Sequence, residues 1–147
     1  MILSRYICSK GGELMTKRKS IPKSVREAVY NKYDGHCAYC GKKLEYKDFQ
    51  LDHLIPKQRE QFKRYTEEQI ECFDNYMPAC RRCNHYKRAH TLKCFREMIE
   101  KIPEKLYRDS YIYKVGLDYG LVHSDEHKIL FYFERTADPE AINKEDF

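Results

Sequence analysis

The stretch "NYMPACRRCNHYK", Asn75–Lys87, holds two cysteines spaced as Cys80-x-x-Cys83, an asparagine on either side of them, a histidine and several cations. Some forty residues upstream, "HCAYCG" carries a second pair, Cys37-x-x-Cys40, followed by Gly41 for a tight turn. Two thiolates two residues apart converge on one tetrahedral cation when the backbone turns sharply. Two such pairs saturate a zinc ion and leave no open position. The spacing therefore predicts a structural zinc site built from Cys37, Cys40, Cys80 and Cys83. The chain has 7 cysteines, an odd number, and four of them fall in these pairs. That usage fits metal thiolates in a reducing, cytoplasmic compartment better than a disulfide framework. Of the remainder, Cys72 and Cys94 are expected as small apolar core residues. His36 is expected as an exposed turn residue rather than a ligand.

Between the two pairs lies "QLDHLIPK", a short apolar run that contains Asp52 and His53 side by side. Asn84 directly follows the last thiolate and opens a helix. A carboxylate with an amide oxygen makes a hard-oxygen set, suited to Mg²⁺ or Mn²⁺ rather than to zinc. A neighbouring neutral histidine is a natural base for activating water. Hydrolysis of a phosphodiester needs a cation at the phosphate and a base for the water. Asp52, Asn84 and His53 thus supply the parts that such a reaction needs, with His85 next to Asn84 as an alternative ligand or phosphate contact. Strict strand alternation points Asp52 and His53 to opposite faces, so the end of that strand decides whether they share a site.

The charge pattern agrees with a polyanionic partner. Net charge is +5, and the run Cys80–Lys93 has five cations and no acid, as Met15–Lys23 has four and none. Lys57, Arg81, Arg82, His85, Lys87 and Arg88 are expected to hold nucleic-acid backbone, since phosphate contacts dominate affinity. No apolar run approaches the ~20 residues of a membrane span.

With those residues in place, the chain resembles the HNH endonucleases with a ββα-metal core. The resemblance runs from about residue 20 to 96 and rests on "CAYCG", "LDHLIPK", "NYMPACRRCN" and "YK". It implies that His53 is the general base, that Asp52 binds the divalent cation, and that Asn75 orients the base and its loop. It also implies that Asn84 is the second metal ligand, an H-N-N variant of the signature. The family's product is a nick or break in DNA with 5′-phosphate and 3′-hydroxyl ends, and its contexts include phage packaging and mobile elements. Here the segment "KQREQFKRYTEEQIECFD" after the Asp-His pair is longer and more charged than is usual in the family.

The remaining chain sets the expected fold: small α+β, a zinc-stapled ββα core with flanking helices and a C-terminal β-hairpin. "SIPKSVREAVYNKY" predicts a helix from Ser20 to Tyr33, capped by Ser20. Thr66 and Gln69 read as a capping pair, and "TLKCFREMIEKIPEKLYRDS" as helix broken at Pro103. "YGLVHSDEHKILFYFERT" reads as two strands around a polar turn. Three regions are expected: 1–14, a non-native or disordered extension; 15–110, the nuclease domain; and 111–147, the hairpin with an acidic tail on the same domain. "KGGELM", Lys10–Met15, is encodable as a ribosome-binding site before an ATG, which points to Met15 as the native start. The function that competes with the nuclease is a non-catalytic zinc ribbon that binds nucleic acid.

Overall fold

The structure is a computed structural model that describes residues 20–57, 65–124 and 127–137. The extension at 1–14 and the acidic tail lie outside the described residues. The rest forms two compact units: one runs to Thr91 and resumes at Phe131, and the other is Leu92–Leu130.

The first unit is built on two short strands, β1 (Gln50–His53) and β2 (Tyr76–Ala79). They pair antiparallel with Leu51 opposite Pro78, Asp52 opposite Met77 and His53 opposite Tyr76. Helix α1 (Lys23–Asn31) packs on β2, and α3 (Arg81–Lys87) packs on β1, which completes a ββα core. The expected α+β class and its ββα core are therefore present.

Helix α1 starts at Lys23 with Pro22 as its N-cap residue and no side-chain cap, so the expected Ser20 cap does not form. Pro22 O accepts instead from Arg26 N at 3.0 Å. In the insert, Thr66 and Gln69 form the reciprocal capping box expected at the start of α2 (Glu67–Ile70).

Lys32 follows α1 and sends its ammonium to three carbonyls, Phe73 O at 3.2 Å, Asp74 O at 3.1 Å and Tyr76 O at 3.0 Å. Those carbonyls flank Asn75 in the 3-10 turn Phe73–Asn75 that leads into β2. Hydrogen bonds from a charged donor each contribute more than neutral ones. Lys32→Met should therefore lower stability by about 2 kcal/mol. This is read as a shift in urea midpoint on zinc-loaded protein, and an unchanged midpoint would show the three bonds to be idle.

The first unit is closed by α7 (Tyr132–Ala137). Its leading residues bond to the first cysteine knuckle, Tyr132 N to Tyr39 O at 3.0 Å and Phe133 N to Ala38 O at 2.9 Å. Phe131 and Phe133 are buried with their rings edge-on to Tyr39. Gly41, at φ 73°, sits so close that a Cβ there would meet the Tyr132 ring at 2.8 Å, so the knuckle's tight turn also makes room for this helix.

The second unit stacks α4 (Leu92–Glu100), α5 (Ile102–Asp109) and α6 (Tyr111–Asp118) in sequence. The helical stretch breaks as expected, at Lys101, with Pro103 in the first turn of α5, and Ser110 caps α6 by accepting from Tyr113 N at 3.2 Å.

The expected C-terminal β-hairpin is absent from the described residues, and the reasons are local. Gly120, at φ 66°, ends α6, and Leu121 N returns to Gly116 O at 2.8 Å. That "YG" is a helix stop, not the start of a strand. Downstream, the Glu134 carboxylate accepts from Phe131 N at 2.8 Å and starts a helical turn where "ILFYF" read as extended. Cys94, expected in the core, is exposed.

Candidate active site and thiolate cluster

The four cysteine sulfurs at 37, 40, 80 and 83 all lie within 4.8 Å of one another. Cys40 Sγ and Cys80 Sγ are 3.9 Å apart. A tetrahedron of Zn–S bonds of ~2.3 Å has edges of about 3.8 Å, so the cluster has the size of a zinc site. Backbone amides support the sulfurs: Cys80 N donates to Cys37 Sγ at 3.3 Å and Cys83 N to Cys80 Sγ at 3.4 Å.

The thiols compete for protons. Hydrogen bonds from Cys37 and Cys83 draw Cys40 down to about 2, while the same kind of contact, from Cys37 and Cys40, pushes Cys83 far up. Four thiolates at this spacing need a cation to coexist, and the donor set fits zinc. His36 stays outside the cluster, half-buried and stacked on Tyr132 at 5.3 Å.

Asp52 and His53 face opposite sides of β1, as alternation requires. Asp52 is buried. Its Oδ2 accepts from Tyr39 Oη, the residue between the first pair of cysteines, and sits 2.9 Å from Lys87 Nζ. Oδ1 takes part in neither contact. The Tyr39 phenol is pushed well up by burial and then by the Asp52 charge, so it acts as a donor here.

On the same side of β1 as Asp52, Gln50 Oε1 accepts from Asn84 Nδ2 at 2.7 Å. That contact turns the amide so that Asn84 Oδ1 is not the atom engaged. Asp52 and Asn84 thus each have one atom fixed by the protein and one oxygen left over. A carboxylate oxygen and an amide oxygen are donors of the type that hard divalent cations take.

His53 lies on the other side. Its Nε2 is 3.4 Å from Glu71 Oε2, and its ring stands edge-on to Tyr76 at 5.1 Å. Glu71 also accepts from Tyr76 Oη at 2.9 Å and pairs with Lys57. Burial alone would raise the Glu71 carboxyl. Lys57, Tyr76 and His53 outweigh it and hold the group below the usual carboxylate value. Burial first, and then the Lys57 charge, lower His53 below the ordinary histidine value, so the ring is neutral near pH 7. A carboxylate at Nε2 selects the Nε2–H tautomer and leaves the Nδ1 lone pair as the basic position.

Asn75 is buried and ties the loop after His53 in place. Its Oδ1 accepts from Ile55 N at 2.7 Å, and its Nδ2 donates to Ile55 O at 3.1 Å and Ile70 O at 2.8 Å.

The expected nucleic-acid contacts divide. Arg81, Arg82, His85 and Arg88 are exposed on α3. Lys57 is exposed but occupied by Glu71. Lys87 corrects the expectation outright. It is fully buried, bonded to Asp52 and, at 2.8 Å, to His53 O, so it is not a surface contact for DNA backbone. Asn84 and Lys87 are three apart on one helix and therefore share a face; that spacing was the available signal. Tyr39, Glu71 and Tyr76 were not foreseen either. Only Tyr76 had a clue, as the cross-strand partner of His53 once the strand register is set.

The described residues thus combine a thiolate-stapled ββα unit with an Asp-His strand and an Asn-bearing helix. Residues 37–90 match the family model described as HNH endonuclease. Among curated proteins none matches the chain. Among solved structures, the chain is similar to the crystal structure of the Type II-C Cas9 enzyme from Actinomyces naeslundii. The two share 20% identity at a TM-score of 0.43, over 75% of this chain and 12% of that one.

Proposed function

We propose that the chain is a metal-dependent DNA endonuclease that hydrolyses phosphodiester bonds, with zinc as a structural ion and Mg²⁺ or Mn²⁺ as the catalytic one. The observation that carries this reading is the division of atoms at Asp52 and Asn84. Each has a partner that fixes its orientation and an oxygen that stays available, while a neutral, carboxylate-held histidine sits next in sequence. A pure zinc ribbon has no use for that set.

In this reading a phosphodiester crosses the C-terminal end of β1, where Asp52 is reached from one face and His53 from the other. His53 Nδ1 takes the proton of the attacking water while Glu71 steadies the imidazolium that forms. Asn75 keeps the loop at Ile55 fixed, so the ring does not drift from the strand end. The exposed cations Arg81, Arg82 and Arg88, with His85, hold the flanking DNA backbone. A divalent ion at Asp52 and Asn84 supplies charge neutralisation at the phosphate and leaving oxygen. The fully thiolate-ligated zinc suits a reducing cytoplasm, and phage or mobile-element machinery is the setting the family suggests.

The test is nicking of supercoiled plasmid by zinc-loaded protein with and without added Mg²⁺ or Mn²⁺. Asn84→Ala should nick slowly, and its defect should shrink as the metal is raised, because it loses a ligand and not a proton acceptor. Absence of metal-dependent nicking across all conditions would leave the non-catalytic ribbon as the function.

A further inference from the structure

The first unit contains a buried cation that the proposed chemistry does not use. Lys87 has no exposed surface, and its ammonium sits 2.9 Å from Asp52 Oδ2, 2.8 Å from His53 O and 5.9 Å over the Tyr39 ring. The helix that carries it is set at its other end by the thiolate cluster, where Cys80 is the N-cap residue of α3 and its Sγ accepts from Cys83 N. The lysine is therefore placed by the fold and does not wander in from the surface.

The charge count at the candidate cation site follows. Asp52 contributes −1 and Asn84 nothing. Lys87 already cancels the −1. A divalent ion that approaches Asp52 Oδ1 meets a ligand set of zero net charge with an ammonium on the neighbouring carboxylate oxygen. Like charges at such separations repel strongly where water is excluded. A phosphodiester brings the missing negative charge, and its oxygens attract both the ion and the ammonium.

We propose that Lys87 is a built-in counter-ion of Asp52 that keeps divalent-cation affinity low in the free protein, so that cation and DNA bind cooperatively. This rests on the reading of Asp52 as a cation ligand. Cooperativity of this kind is reciprocal: DNA tightens cation binding by the same factor that the cation tightens DNA binding. It would keep the nuclease from holding an armed metal away from its substrate.

The experiment is a Mn²⁺ titration followed by the electron paramagnetic resonance of free Mn²⁺. It uses the zinc-loaded full chain carrying His53→Ala so that the duplex stays intact. Saturating duplex should tighten Mn²⁺ binding about tenfold or more. Adding Lys87→Met should tighten Mn²⁺ binding about tenfold without DNA and remove most of the gain from DNA. If that variant fails to fold, Lys87→Gln keeps a donor for Asp52 and His53 O without the charge and is read in the same way. On the His53→Ala chain with Lys87 unchanged, the Lys87 side-chain ¹⁵N resonance should be unmoved by millimolar Mg²⁺ and shift only when duplex is also present.

The proposal is overturned if the neutral variants bind Mn²⁺ no more tightly than the parent, if they keep the full gain from DNA, or if Mg²⁺ alone displaces Lys87. Asp52→Asn run in parallel separates the two levels. If DNA-dependent Mn²⁺ binding survives that change, Asp52 is not a ligand and the endonuclease reading falls instead.

Discussion

Cys37→Ser or Cys80→Ser, or removal of zinc by a chelator, should unfold the first unit. The four sulfurs join the first knuckle to the start of α3, directly after the Ala79 end of the strand pair. Structural zinc binding has an apparent free energy of about 10–16 kcal/mol in small finger domains. Whole domains are stable by only about 5–15 kcal/mol. Loss of the ion therefore removes as much as the unit has. Far-UV circular dichroism during chelator titration, with elemental analysis of the purified chain, gives the readout. One tightly held zinc per chain and a cooperative loss of structure on its removal are expected. Soluble, folded protein without zinc would refute the assignment.

His53→Ala should lower the nicking rate by ~10²–10⁴-fold, the usual contribution of a positioned general base, while zinc content and DNA binding stay as they are. Extra Mg²⁺ should not restore it, because the missing step is proton transfer. The parent's rate should rise with pH through the His53 pKa, since only the neutral ring accepts a proton. Burial and the Lys57 charge lower that pKa, so the rising limb should fall below the ~6.5 of an unperturbed histidine. Rates measured from pH 5 to 8 would show it. A His53→Ala protein as active as the parent, or one rescued by metal, would assign the base elsewhere, with His85 the next residue to test.

The parts of the fold that were legible in the sequence are those set by short-range chemistry. Two Cys-x-x-Cys pairs announce a shared ion regardless of what lies between them. Thr66 and Gln69 announce a helix start because a capping box is complete within four residues. The alternation that separates Asp52 from His53 follows from strand geometry alone. What was misread depended on which of two local signals prevailed. The segment "ILFYF" has strand composition, yet one carboxylate, Glu134, accepting from Phe131 N is enough to begin a helix there. Lys87 sits in an acid-free basic run and looked like surface, but its helical register with Asn84 turns it inward onto Asp52. Glu71 was illegible for a different reason. It belongs to a charged insert with no motif, and its approach to His53 is set by the tertiary path of that insert.

The Asn75 amide has a consequence for how such a protein can change over time. By gripping Ile55 and Ile70 together, it makes the intervening chain leave and return through a fixed neck, which the Lys57–Glu71 ion pair also closes. Closing a longer connection between fixed ends costs little more, about 0.6 kcal/mol for each doubling of loop length. The neck is thus a grafting port: sequence can be added, removed or exchanged beyond it without moving β1 or the imidazole at its end. Under the proposed function, target recognition would diversify through that port while the residues at the end of β1 stay in place.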